Sequence, residues 1–182
     1  MNLSYNIEDF KIKNMLLNWE DRSKMSIIGV TMGYKDNRQD NLNIHDNYLS
    51  VIREAGGLPV ILTPHLEKEA LSKVLNKIDG ILLTGGSDVN PHFYDEEPEP
   101  GLRRIDPERD LLELNILDLA IINKIPVLAL CRGIQVLNIY CGGNIIQDME
   151  TELKHDQDAP GGFASHKVEL KAGGYLEKIY NK

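Results

Sequence analysis

The amino-acid sequence predicts an α/β fold, a parallel sheet covered by helices on both faces. Three observations carry that expectation. Short apolar runs recur without polar alternation: Ile27-Ile28-Gly29-Val30, Val60-Ile61-Leu62, Ile81-Leu82-Leu83 and Val127-Leu128-Ala129-Leu130. Such runs suit strands buried on both faces. Between them lie segments whose apolar residues return at helical spacing. Strand and helix therefore alternate along the chain, the pattern of βαβ units with parallel strands.

The first strand is read over 26–31, and Met32-Gly33-Tyr34-Lys35-Asp36-Asn37 follows as a polar loop at its carboxyl end. A helix through Tyr48, Leu49, Val51 and Ile52 stops at Gly56-Gly57, a common C-terminal signal. The second strand covers 58–62, with Pro59 near its start, where proline is tolerated. Thr63-Pro64 turns the chain into a helix over 66–78, carried by Leu66, Ala70, Leu71, Val74, Leu75 and Ile78. The third strand is 80–83, and a long polar loop follows it. A helix over 107–123 opens on Pro107, which suits a first turn. The fourth strand runs into Cys131, and helical spacing resumes at Ile134 and Leu137. Ahead of all this, residues 1–25 read as an N-terminal extension, in which Ile7, Phe10, Ile12, Met15, Leu16 and Trp19 make a loose amphipathic helix.

A chain of 182 residues suffices for one domain with a proper core. The formal net charge of −8 argues against nucleic acid or an anionic membrane as the main partner. No apolar run approaches the roughly 20 residues of a bilayer span. The first residues lack the layout of a signal peptide. Two cysteines, Cys131 and Cys141, make no disulfide framework, so reducing cytoplasm is the expected compartment. No Cys/His cluster has zinc-ligand spacing, and neither a metal nor another cofactor is expected.

In sheets of this kind ligands collect at the carboxyl ends of the strands. The architecture therefore predicts that the Gly33 loop, the Thr84-Gly85-Gly86-Ser87-Asp88 loop and the Cys131 turn meet. Cys131 has two readings on its residues alone. One is a small buried hydrophobe. The other is a thiol held out of the sheet by a tight strand-to-helix turn, like the nucleophile elbow of hydrolases. There the partial positive charge of a helix N-terminus favours a thiolate. Arg132 and Gly133, poor core residues and good turn residues, weigh toward the second. Gly85 and Gly86 directly follow a buried strand. Either they form a plain turn, or their backbone approaches a ligand and offers N–H groups to an anion. The stretch does not fit a phosphate loop, since no Lys follows. Asp95, Glu96, Glu97 and Glu99 read as a solvated face.

The quoted blocks resemble a known superfamily. Leu83-Thr84-Gly85-Gly86-Ser87-Asp88-Val89-Asn90-Pro91 with Tyr94, then Arg109-Asp110 with Glu113, then Leu130-Cys131-Arg132-Gly133-Ile134-Gln135, then Gly142-Gly143 and Gln147-Asp148, are similar to class I glutamine amidotransferases. The branch resembled is the gamma-glutamyl-gamma-aminobutyrate hydrolase type, over about 27–170. The resemblance implies a three-layer αβα fold with a mostly parallel, flavodoxin-like sheet. It implies a small γ-glutamyl amide as substrate and Cys131 as the nucleophile that forms a glutamyl thioester. Gly86 and Arg132 would donate backbone N–H groups to the oxyanion, with Gly85 beside them, and Gln135 would shape the glutamyl pocket.

Two departures accompany the resemblance. Position 129 is Ala, where the branch usually has Gly. The family's catalytic His, oriented by an acid in a late His-x-Pro-Glu segment, has no counterpart in this sequence. The chain is therefore expected to be C-terminally truncated, with 26–182 an incomplete amidotransferase-like domain: either the gene product is truncated or interrupted, or a second copy or partner chain covers the missing region. His166 aligns with a non-catalytic family histidine, His155 lies in a polar loop, and His45, His65 and His92 read as surface or loop residues. An inactive remnant that binds a γ-glutamyl compound or partner, and a glutaminase subunit of a synthase, are the alternative functions.

Overall fold

The computed structural model describes residues 25–35, 41–149 and 167–180. The extension read over 1–25 lies, Met25 apart, outside the described residues, as do His155 and His166.

The apolar runs form four strands: β1 (Ile27–Thr31), β4 (Leu58–Leu62), β5 (Gly80–Leu83) and β6 (Val127–Ala129). They build one sheet in the order β4-β1-β5-β6, with every pairing parallel. Register runs from Ile27 opposite Leu58 to Thr31 opposite Leu62 on one side of β1, and Val30 stands opposite Leu82 on the other. The chain thus winds outward from β1 in one direction and then back through β5 to β6. The reversal between β1 and β5 is the switch point where such sheets open a crevice at their carboxyl ends.

Side chains alternate across β5, and the helices sort accordingly. Ile81 and Leu83 join a core with Leu71 and Leu75 of α2 (Lys68–Leu75), Leu112, Ile116 and Leu117 of α3 (Pro107–Asn123), and Val136 and Ile139 of α4 (Arg132–Tyr140). Leu82 turns the other way, to Ile28, Val30 and Ile52 of α1 (Asp46–Glu54). The result is a sheet between two helical layers, a flavodoxin-like αβα arrangement. Helix α3 begins where the sequence predicts: Pro107 sits in its first turn and the Asp106 side chain caps it, accepting from the Arg109 N–H at 3.2 Å. A last short helix, α5, spans Tyr175–Tyr180.

Three elements differ from the sequence reading. The stretch after β1 is not a plain loop. Gly33–Tyr34 (β2) pairs antiparallel with Leu42–Asn43 (β3), and Tyr34 is buried. Its backbone N–H donates to Asp106 at 3.0 Å and its hydroxyl donates to Glu108 at 2.8 Å. The same hydroxyl lies 2.8 Å from His65 Nε2. Burial, with Glu108 beside it, pushes the Tyr34 phenol up to about 12. Helix α2 is shorter than 66–78, because Leu66 closes a turn onto Thr63 O and the chain leaves the helix through three-residue turns at Lys77 and Ile78. Glu96 accepts from Asn144 and Gln147, so that part of the acidic stretch anchors the loop after α4.

Candidate active site

Strand β6 ends at Ala129 and α4 starts at Arg132, so Cys131 occupies the helix N-cap. Its backbone sits at φ 52°, ψ −116°, a conformation non-glycine residues rarely adopt. Holding a residue there costs about 1–3 kcal/mol, which the surrounding packing must supply. The packing is visible: the Leu130 N–H still donates to Leu83 O at 3.0 Å, and the Gly133 N–H closes back on Leu130 O at 2.9 Å. A Cβ on Gly133 would stand 2.5 Å from Leu83 O, so only glycine lets α4 start against the end of β5. The turn leaves the Cys131 side chain exposed.

The three loops do meet. Gly33, Tyr34 and Lys35 after β1, Thr84, Gly85 and Gly86 after β5, and Cys131 after β6 line one cavity of about 360 Å³, closed on another side by His45 and Tyr48 at the start of α1. A Cβ built on Gly85 would lie 3.6 Å from Cys131 Sγ, which places the glycine turn directly against the sulfur. Thr84 is tied to β1 by its hydroxyl, which donates to Thr31 O at 2.8 Å. The Gly85 N–H is already used: it donates to the Tyr48 hydroxyl at 3.1 Å. Gly85 therefore contributes closeness, not a spare donor. The N–H groups of Gly86 and of Arg132, the first residue of α4, have no hydrogen-bond partner among the described residues.

Beneath the cavity floor lies a cluster of charges. Arg132, read from sequence as a turn residue ill suited to a core, is 1% exposed. Its guanidinium donates to Asp110 and to Glu113, both of α3 and both fully buried. Glu113 also accepts from Arg109 Nε at 2.9 Å. Two cations and two carboxylates thus neutralise one another, which is the condition under which buried charges are tolerated. Burial pushes the Asp110 carboxyl up to about 6, against the pull of Arg132 and of the Asn90 N–H that donates to it at 3.0 Å. Glu113, held by both arginines, moves down despite burial. The Arg132 Nε has no partner among the described residues.

Of the residues singled out from sequence, Cys131, Gly85 and Gly86 share the cavity, and the Arg132 backbone follows Cys131 while its side chain points into the core. Gln135 is half-buried on α4, and the described cavity wall does not include it. Sequence reasoning missed Tyr48, which looks like ordinary helix core, and the rim formed by Lys35 and Arg104. No carboxylate lines the cavity among the described residues, while Lys35 and Arg104 do, beside Arg109, whose charge Glu113 offsets. In a chain with net charge −8, that is a local reversal that suits an anionic ligand.

Comparison with known proteins shows what the chain as a whole is similar to. A family model described as Peptidase C26 matches residues 26–182. The chain is 38% identical over 152 residues to the gamma-glutamyl-gamma-aminobutyrate hydrolase PuuD of Escherichia coli, covering 75% of this chain and 57% of that protein. It is 37% identical over 152 residues to the gamma-glutamyl-gamma-aminobutyrate hydrolase of Shigella flexneri, with 75% and 57% covered. It is 36% identical over 129 residues to protein NtpR of Enterococcus hirae, covering 68% of this chain and 53% of that one. The chain therefore spans a little over half the length of the relatives it matches.

Proposed function

The chain belongs to the Peptidase C26 family, of the class I glutamine amidotransferase-like superfamily, and from that membership we propose that it is a cysteine-dependent hydrolase of γ-glutamyl amide bonds. The observation that carries the reading is the strained Cys131 turn facing the Gly85–Gly86 backbone across a cavity that no carboxylate lines among the described residues.

In this reading the Cys131 sulfur attacks the γ-carbonyl carbon. The C–S bond forms and the carbonyl oxygen becomes an oxyanion, held by the Gly86 and Arg132 N–H groups. Collapse breaks the C–N bond, and the amine departs with a proton, the thiol's proton balancing that charge. Water then adds to the glutamyl thioester, releases glutamate and returns the thiol. Such donors act where charge develops, and removing one from an oxyanion site costs about 10²–10³-fold in kcat. The substrate's α-carboxylate is an anion that suits the Lys35 and Arg104 rim, and the names of the relatives supply the choice of a γ-glutamyl compound.

The test is linkage selectivity. The full chain is expected to release p-nitroaniline from L-γ-glutamyl-p-nitroanilide and to leave the α-linked isomer intact, as read by absorbance. Equal rates on the two isomers, or release from neither, would sink the proposal.

A further inference from the structure

The mechanism proposed above uses the Gly86 N–H, yet a glycine pair after a strand is among the most freely rotating stretches of a chain. Something must fix which way that N–H points. The structure assigns this task to Arg109 of α3: its guanidinium grips the two carbonyls of the glycine turn, so that the Gly86 N–H is aimed at the cavity and strengthened as a donor. This assignment rests on the γ-glutamyl hydrolase reading for its catalytic meaning, though not for its geometry.

The geometry is specific. Arg109 Nη2 donates to Thr84 O at 3.0 Å and to the Thr84 hydroxyl at 2.8 Å. Arg109 Nη1 donates to Gly85 O at 3.1 Å. Two consecutive peptide planes are thereby fixed. In a trans peptide the C=O and the following N–H point in opposite directions, and no cis bond occurs among the described residues. Gripping Thr84 O sends the Gly85 N–H to the Tyr48 hydroxyl, where it is found. Gripping Gly85 O sends the Gly86 N–H the opposite way, and it is the amide of the pair left without a partner among the described residues.

The fork is itself held. Arg109 is 4% exposed, and its Nε donates to Glu113, whose other oxygen accepts from Arg132. Arg132 is the residue whose backbone carries the second proposed donor. One carboxylate thus sets both arginines, and through them both N–H groups that face the oxyanion. A cation on a carbonyl oxygen also draws electron density through the amide, which makes the N–H of the same peptide a better donor. Residue 86 must be glycine for this to fit, because a Cβ there would run into the Arg109 guanidinium and come within 3.4 Å of Arg132 Cδ. Arg109 is accordingly a positioning residue. It acts on the oxyanion through a peptide plane.

The experiment compares two reagents on Cys131 in the full chain. Iodoacetamide alkylates the thiol without building an oxyanion at the site. The chloromethyl ketone analogue of glutamine places a carbonyl oxygen where the oxyanion would form. Arg109→Lys keeps a cation beside Glu113, and its single nitrogen, with three N–H groups, cannot replace the four bonds the guanidinium makes to Glu113, Gly85 O, Thr84 O and the Thr84 hydroxyl from three separate nitrogens. Arg109→Gln combined with Glu113→Gln keeps the cluster neutral should the lysine variant fail to fold. In either variant the chloroketone rate is expected to fall about 10–100-fold, the lower part of the range for losing an oxyanion donor. The iodoacetamide rate should stay within a factor of about two, since the thiol and its exposure are untouched. Equal slowing of both reagents, or no slowing of the chloroketone, overturns the assignment. Neither rate needs turnover. An unaltered chain that fails to cleave the γ-glutamyl anilide while the reagent contrast persists therefore sinks the hydrolase reading alone.

Discussion

Cys131→Ala is expected to abolish release of amine from a γ-glutamyl anilide, with a fall on the order of 10⁴-fold or more, the scale seen when a covalent nucleophile is removed. The fold should survive, because the residue is exposed and only its sulfur is deleted. The alanine must still adopt φ 52°, a position set by Leu83, Leu130 and Gly133 and not by the side chain. Unfolding midpoints of variant and parent should therefore agree, while the rates separate. Cys141→Ala is the matched control. That residue is also exposed, but it caps the far end of α4 and does not line the cavity. Its loss should leave the rate unchanged within about twofold.

The second large effect is on stability. Arg132→Met removes the cation that Asp110 and Glu113 share and leaves two fully buried carboxylates with Arg109 alone. Breaking a buried pair from one side costs about 3–5 kcal/mol, because a charge stays behind without compensation. Set against a total stability of about 5–15 kcal/mol for a domain, the loss should be plain in urea unfolding. Its pH dependence follows from Asp110. With Arg132 present, burial already holds that carboxyl at about 6, above the ordinary 3.8. A carboxyl raised in the folded state adds stability below its unfolded value and loses that contribution as pH rises through the folded value. Without the arginine, Asp110 rises further. The deficit of Arg132→Met should therefore be larger at pH 7–8 than at pH 5. Arg132→Met combined with Asp110→Asn and Glu113→Gln, which removes the stranded charges, is expected to recover part of the loss.

Most of the sheet was legible in the sequence because its strands are buried on both faces and therefore carry unbroken apolar runs. The limits of α3 were legible for a local reason too, since Asp106 and Pro107 are start signals that act within one turn. The β2–β3 pairing was not. Two strands of two residues have no periodicity, and Tyr34 is buried by groups on Asp106 and Glu108, more than 70 residues away. The site divides the same way. The elbow at Cys131 announces itself by where an apolar run stops. The burial of Arg132 does not, because an arginine beside a glycine looks like a surface turn until its two carboxylates are placed 19 and 22 residues earlier. A signal was present all the same: Arg109, Asp110 and Glu113 stand among Leu112, Ile116 and Leu117 on a helix that packs against the sheet. Three charges at the start of such a helix require partners inside the protein. The role of Gly85 shows the opposite limit. No pattern tells that its N–H is taken by Tyr48 of α1, a contact decided by how α1 meets the end of the sheet.

Both cysteines are exposed, so exposure alone would make them equal targets. The decisive measurement is peptide mapping by mass spectrometry after brief treatment of the full chain with the chloromethyl ketone analogue of glutamine. A cavity that orients a glutamyl carbonyl over the elbow predicts one adduct, on Cys131, suppressed by excess glutamate. Equal labelling of Cys131 and Cys141, preference for Cys141, or indifference to glutamate would contradict it.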